Sequence, residues 1–424
     1  MLLTLGAGPA CGAPWTLDRT LAAVRGHDAG VRAARAAGDA GRAQAAANWA
    51  LLLPHVALSS GFTRSDDPAL LFSQKLWQGR FTADDFALEQ LNQPAPQSAF
   101  QWGLTLDQPL WNGGREWLAP AQAGRYGRAA SAMEEAAVAD RLLAAVDAWV
   151  DAVSARARDR AAHDALTSAE TMRLATSERW RTGQVAEVDT LRAAVRASQA
   201  SVRALGASRT LDVQLERLSG LVGERVAPED LDVPAETTDT PLPAPAVRGE
   251  LRAARETAEA ASTQSRVAAM ALLPSINTHF AMTQYRPATG DGGWEPRWLV
   301  AVSADLPLFD GTQRYHEWRA SQARAAEAEA RTQALERDLS VALAAARAEA
   351  AVVIEQRDAA RVGRRAADSA LRLAQARYGA GLLALTDLLA ADAEATDART
   401  AEIDAAATAI RARYRLLHAM GELK

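Results

Sequence analysis

A mainly α-helical chain with a small β part, built from one unit used twice, is the fold class this sequence predicts. The first of three observations is a junction that recurs: LTLDQPLWNGGRE (Leu104–Glu116) and VSADLPLFDGTQR (Val302–Arg314) each alternate, reach Pro-Leu-aromatic, and pass through Asn or Asp to glycine. The second is a run of about a hundred residues after each copy with almost no helix breaker. The third is the spacing. The offset of 198 holds from Pro109 to Pro307 and from Gly113 to Gly311, and still relates WRTGQVAEVDTL at Trp180 to YGAGLLALTDLL at Tyr378. An ungapped match of that reach implies a duplicated unit.

Composition agrees with long helices. Of 424 residues, 23% are charged, and the 49% hydrophobic share is carried largely by alanine, the best helix former. The net charge of −5 and the lack of a basic cluster with interleaved aromatics exclude a nucleic-acid surface. No stretch approaches the ~18 apolar residues of a spanning helix, which leaves open a membrane barrel with its weaker alternating signal.

Residues 1–13, MLLTLGAGPACGA, resemble the tail of a secretory signal peptide without its positive region, with cleavage expected near Ala13. The single cysteine, Cys11, cannot form an internal disulfide. Beside a cleavage site it raises lipidation, although Gly8-Pro9-Ala10 is a poor lipoprotein signal. The first repeat is expected over 14–225. Its opening helix runs from Thr16 to Leu53, with Leu17, Leu21, Val24 and Val31 at helical spacing, until Leu-Leu-Leu-Pro stops it at Pro54. Val56, Leu58, Ser60 and Phe62 then alternate with His55, Ala57, Ser59 and Gly61. A tilted strand of roughly ten residues is long enough to cross a bilayer core.

Arg64–Ser98 reads as a long polar connection without clear structure. Its Phe72, Trp77, Phe81 and Phe86 suit a loop-packing cluster better than a ligand site. Trp102, Leu104 and Leu106 alternate with Gln101, Gly103, Thr105 and Asp107, giving one face for lipid and one for water. The helix from Arg115 to Arg181 tolerates Pro120 in its first turns and would extend roughly 100 Å. Leu142, Val146, Trp149 and Val153 form its apolar stripe, and such a helix needs lateral partners. Gly183 is a C-terminal cap candidate, after which Val185–Val222 returns antiparallel, so the hairpin tip is Thr182–Glu187.

Residues 226–247, with Pro228, Pro234, Pro241, Pro243 and Pro245, read as a connector. The second repeat, 248–424, restates the first. A helix from Arg248 to Leu273 ends in Ala-Leu-Leu-Pro, and Ile276, Thr278, Phe280 and Met282 alternate with polar or small residues. After the turn-rich RPATGDGGWEP, Trp298, Val300 and Val302 do the same. Two long helices complete the repeat, broken at Gly379-Ala380-Gly381. Four strands cannot close a barrel and would leave exposed edges. Three copies would supply twelve strands, a β-barrel continuous with a long α-helical barrel.

These paired junctions, the two Leu-Leu-Pro exits and the twin tips resemble the TolC-type outer-membrane efflux proteins, over about Leu17 to Gly421. The resemblance implies a homotrimer in the outer membrane, extending into the periplasm. It also implies a periplasmic adaptor (membrane fusion protein) and an inner-membrane transporter of the RND, ABC or a similar class as partners. It implies passage rather than chemistry, with no cofactor. Acidic residues after the second tip line the periplasmic constriction in the family. The first falls on Asp387. The next common position is Ala390, a departure from the double-acid pattern that leaves Asp392 as a second candidate on another part of the helix face. Three carboxylates around a narrow pore would favour cations. Asp387 reads equally as a solvated acid or a helix-start cap, since its repeat mate Asp189 cannot share the constriction.

The tips Thr182, Gly183, Gln184 and Val185 and Gly379, Ala380, Gly381 and Leu382 are the implied adaptor-docking surface, although both glycines also suit plain caps. Pro109, Gly113, Pro307 and Gly311 mark the strand-to-helix junctions. Trp102, Trp111, Trp294 and Trp298 fit an interfacial girdle. Trp49 and Trp180 read as helix packing. The histidines are scattered, with no metal-binding spacing, and no P-loop or nucleophile elbow is present. The rival reading is a soluble alanine-rich helical scaffold that binds partners through its tips. A passive porin fits poorly because helices dominate. The exported substrate is not legible.

Overall fold

A computed structural model of the chain describes residues 14–50, 53–232, 241–288 and 293–423. The signal-peptide stretch 1–13 with Cys11, the exit residues Leu51 and Leu52, and Pro234 of the connector lie outside the described residues. The elements are α1 Leu17–His27, α2 Ala29–Ala50, β1 His55–Ser65, α3 Pro68–Trp77, α4 Leu88–Asn92, β2 Gln97–Trp111, α5 Arg115–Arg181 and α6 Glu187–Val222. They continue with α7 Gly249–Met270, β3 Ser275–Pro287, β4 Glu295–Asp305, α8 Gln313–Gly379 and α9 Leu385–Ala419. The helices α5 and α8 are each 67 residues long. Their first residues, their last residues and the starts of α6 and α9 all keep the offset of 198.

Two expectations are corrected. The stretch Thr16–Leu53 is not one helix, because Asp28 is extended and caps a second. Its carboxylate accepts from the Val31 backbone N–H at 2.9 Å and from Arg141 Nε and Nη2 at 2.9 and 2.7 Å. An aspartate that satisfies an orphan amide in this way starts a helix. The Arg64–Ser98 connection is likewise not structureless. Strand β1 runs to Ser65, Asp67 caps α3 through the Leu70 N–H, a 3-10 turn spans Ala83–Phe86, and α4 comes next. Its aromatics do form the expected packing cluster, with Phe81 edge-on to both Phe72 and Phe86.

The chain folds as two compact units, and these cut across the sequence repeats. One takes residues up to Asp39, Ser131–Arg252 and Gln333 onward; the other takes Ala40–Ala130 and Ala253–Thr332. The first is helical. Its core joins Leu21 and Val24 of α1, Val31 of α2, Leu142, Val146, Trp149 and Val153 of α5, and Leu211, Leu215 and Leu218 of α6. The α5 stripe read from the sequence is therefore its centre. Trp149 Nε1 donates to the Trp15 carbonyl at 2.9 Å, and Trp15 pairs with Leu231, so the first residues of the connector are pinned on this core.

The second unit holds the only sheet among the described residues, antiparallel in the order β1-β2-β3-β4. Beside it, Gly41 lets α2 approach α5 closely: a Cβ there would stand 2.4 Å from that of Ala130. Arg128 on α5 donates through Nε and Nη2 to both carboxylate oxygens of Glu256 on α7, each at 3.0 Å.

Candidate functional site

The sheet separates two chemistries by strand alternation. Register places Leu58 opposite Leu104, Leu104 opposite Met282, and Met282 opposite Trp298. Val56, Phe62, Leu106, Phe280, Val300 and Val302 share that face by register. On it Leu58 and Trp298 are each 74% exposed. The other face carries Gln101, Thr105, Asp107, Asn277, His279, Thr283 and Ser303. There His279 Nδ1 lies 2.6 Å from Asp107 Oδ1. A face rich in apolar side chains, several of them in contact with solvent, against a more polar opposite face is what a lipid-facing barrel wall requires. Strands β1 and β4 each lack a partner on their outer edge among the described residues.

The tryptophans divide by level. Trp102 and Trp298 share the apolar face at the loop end of the sheet, and Trp294 lies just before β4. Trp111 pairs with Ile276 at the opposite end, beside an irregularity between Pro109 and Trp111. At the junctions Gly113 and Gly311 have φ of +68° and +69°, the left-handed region that glycine enters freely.

The tips close identically. Gln184 N–H donates to the Arg179 carbonyl at 2.8 Å and Leu382 N–H to the Arg377 carbonyl at 2.9 Å, with Gly183 and Gly381 left-handed at φ of +72° and +73°. This six-to-one bond is the Schellman ending of a helix. Thr182, Gly183 and Gln184 are exposed, as are Gly379, Ala380, Gly381 and Leu382, while Val185 is half-buried. Sequence reasoning missed what joins the tips. Arg179 donates to the carbonyls of Tyr378 at 3.0 Å and Gly379 at 3.1 Å, and its guanidinium lies 4.7 Å from the Tyr378 ring centre. A basic residue in the last turn of a helix is the one local signal that could have pointed to it. A cavity of about 550 Å³ beside this clamp is lined by Asp164, Thr167, Thr171, Met172 and Gln375.

Asp387 and Asp392 part company. Asp387 is exposed in the first turn of α9, whose cap is Ala384, so its carboxylate does not cap the helix. Asp392, the second candidate, has different surroundings. It is buried within the protomer and accepts from Arg196 of α6. Asp189 is partly covered and pairs with Arg192 at 3.7 Å. Among the described residues no group of His, Cys, Asp or Glu is arranged to hold a metal. No described helix is long and apolar enough to cross a membrane.

The family model for outer membrane efflux protein matches residues 21–224 and 244–422. Several solved channels share the fold. The CmeC outer membrane channel of Campylobacter jejuni is 17% identical, with 96% of this chain and 86% of that chain covered and a TM-score of 0.80. The outer membrane protein VceC of Vibrio cholerae is 19% identical, with 96% of each chain covered and a TM-score of 0.78. The MtrE outer membrane channel of Neisseria gonorrhoeae, solved in its open state, is 20% identical, covering 97% of this chain and 90% of that one at a TM-score of 0.78. No curated protein matches the chain by sequence.

Proposed function

The chain belongs to the outer membrane efflux protein family, and from that premise we propose that three copies assemble into a closed duct from the periplasm to the cell exterior. Membership makes it an efflux channel of the outer membrane, the exit component of a tripartite system. In the proposed assembly, four strands from each of three copies close a twelve-stranded barrel. Three sets of long helices continue it as an α-helical barrel. The repeated junctions and shared offset support an internal duplication as the origin of the four strands.

The observation that carries this reading is the sheet: a face rich in exposed apolar side chains, bounded by two edges that have no partner among the described residues. A lipid-exposed sheet with free edges is untenable, and ring closure with identical copies removes every edge. A second feature supports lateral assembly. Val188, Leu191, Val195, Val202 and Leu205 of α6 are all exposed, at spacings of three, four, seven and three residues. That is the a/d pattern of a helix seam awaiting a partner.

Passage, not bond chemistry, is the mechanism. The water-facing side of the sheet lines the barrel lumen, and Asp387, exposed near the tips, supplies one carboxylate per copy to the periplasmic mouth. Three such charges around a narrow opening raise the local cation concentration. Thr182, Gly183, Gln184 and Val185, with Gly379, Ala380, Gly381 and Leu382, form the docking surface for a periplasmic adaptor. That adaptor links the duct to an inner-membrane transporter of the RND, ABC or a related class. Trp102, Trp111, Trp294 and Trp298 sit at headgroup depth. The test is single-channel recording in planar bilayers under a salt gradient. The reading expects a cation-preferring pore whose preference weakens in Asp387→Asn; selectivity unchanged by that substitution would remove Asp387 from the constriction.

A further inference from the structure

The two hairpins of the sheet obey one pairing rule. Adding 220 to a β1 residue number and 198 to its β2 partner reproduces the β3–β4 register: Val56 opposite Leu106 becomes Ile276 opposite Ala304, and Phe62 opposite Phe100 becomes Met282 opposite Trp298. The same 220 separates Pro54 from Pro274 at the helix exits. The β2–β3 seam therefore has a counterpart, which can only run from β4 of one copy to β1 of the next.

Resting on the trimeric reading above, we propose that this counterpart seam forms in the register that β2–β3 dictates. Leu104 opposite Met282 translates to Val302 opposite Phe62 of the neighbouring copy, and Gly103 opposite Thr283 translates to Ala301 opposite Thr63. The pairing continues past the present end of β4. Gln108 opposite Thr278 becomes Leu306 opposite Leu58, and Trp111 opposite Ile276 becomes Phe309 opposite Val56.

Three observations favour this register. First, it preserves the faces: Val302, Leu306 and Phe309 meet Phe62, Leu58 and Val56, all of them apolar and all exposed in the isolated chain. A slip of one residue would send each to the wrong face. Second, it explains an asymmetry in strand length. β2 runs to Trp111 because β3 pairs with its last residues, whereas β4 stops at Asp305 and leaves Leu308 and Phe309 at 90% and 83% exposure. Third, the junction glycines differ in what covers them. A Cβ on Gly113 would lie 2.7 Å from the Met270 carbonyl and 2.9 Å from Leu273 Cβ, while Gly311 has nothing within 4 Å. The translated cover for Gly311 is the Ala50 and Leu53 region of the neighbour.

Disulfide trapping tests the register, since bridging needs Cα atoms about 4.4–6.8 Å apart. Directly opposed strand residues satisfy this and diagonal ones at ~7–8 Å do not. In a Cys11→Ser background, Thr63→Cys is combined in turn with Leu299→Cys, Ala301→Cys and Ser303→Cys, all on the water-facing side. The mass of each detergent-solubilised variant is measured before oxidation. The proposal expects Thr63→Cys with Ala301→Cys to give covalent dimers and trimers at least tenfold more efficiently than the other two pairs. A trimer that cross-links best through position 299 or 303, or through none of the three, overturns the register and leaves the trimer standing. A monomer overturns both.

Discussion

Arg196 on α6 and Asp392 on α9 form an ion pair inside the protomer, Nε to Oδ2 at 3.0 Å, with 12% and 6% of their side chains exposed. The pair ties the two returning helices together near the tips. Two acids five residues apart thus have different surroundings, because helix geometry leaves Asp387 exposed and Asp392 buried.

Removing one partner leaves the other buried and uncompensated, which costs about 3–5 kcal/mol for enclosed pairs. Asp392→Ala is expected to lower the thermal midpoint markedly while the surviving channels keep wild-type ion selectivity. Calorimetry and bilayer recording on the same preparation check both halves of that statement.

Thr312 has φ of +72°, the only non-glycine residue with positive φ among the described residues, and Gly114 stands at its repeat position with φ of +90°. A β-branched residue there costs roughly 1–2 kcal/mol. Thr312→Gly is expected to recover about 1 kcal/mol of it in denaturant unfolding, net of the added flexibility of the unfolded chain.

Acid sensitivity arises from carboxylates held by cations: Asp28, Glu256 and Asp85, the last with Lys75 as its partner. The Arg141 hydrogen bonds hold Asp28 below its usual range, and the Arg128 hydrogen bonds do the same for Glu256. A carboxylate with a depressed folded-state pKa contributes stability that is present above its unfolded value of about 4 and is lost as pH falls through the folded value. Unfolding measured from pH 6 to pH 2 should therefore show stability falling in the acid limb. Asp28→Asn should flatten that fall and lower the plateau above pH 5.

Gly249 and Gly220 are both helical glycines with opposite surroundings. A Cβ at Gly249 would stand 2.4 Å from the Ala132 carbonyl oxygen of α5, whereas none of its neighbours would approach one at Gly220. Gly249→Ala is expected to destabilise by about 1–3 kcal/mol through overpacking, and Gly220→Ala to stabilise by up to ~1 kcal/mol through helix propensity. Opposite shifts of thermal midpoint are the readout.

Much of this architecture was legible in the residues. Alternation at Val56–Phe62 and Trp298–Val302, Pro109 and Pro307 before glycines, and Gly183 and Gly381 as caps are local signals, and the structure places each where its backbone chemistry requires. The break at Asp28 was hidden in part because one partner of its carboxylate, Arg141, lies 113 residues away. The helices within Arg64–Ser98 are short and stabilised by contacts such as Trp77 stacked on Tyr285 at 5.0 Å, which no local period reveals. Burial of Asp392 depends on Arg196 meeting it from another helix, and the Arg179 clamp on Tyr378 and Gly379 is likewise a product of tertiary packing.

The measurement that tests the central claim most directly is the mass of the particle extracted from outer membranes. Light scattering corrected for bound detergent should give three copies of the mature form of this 45.1 kDa chain, stable on dilution because β4 and β1 edges are paired between copies. A monomer or dimer from the same membranes would leave the sheet edges open and contradict the duct.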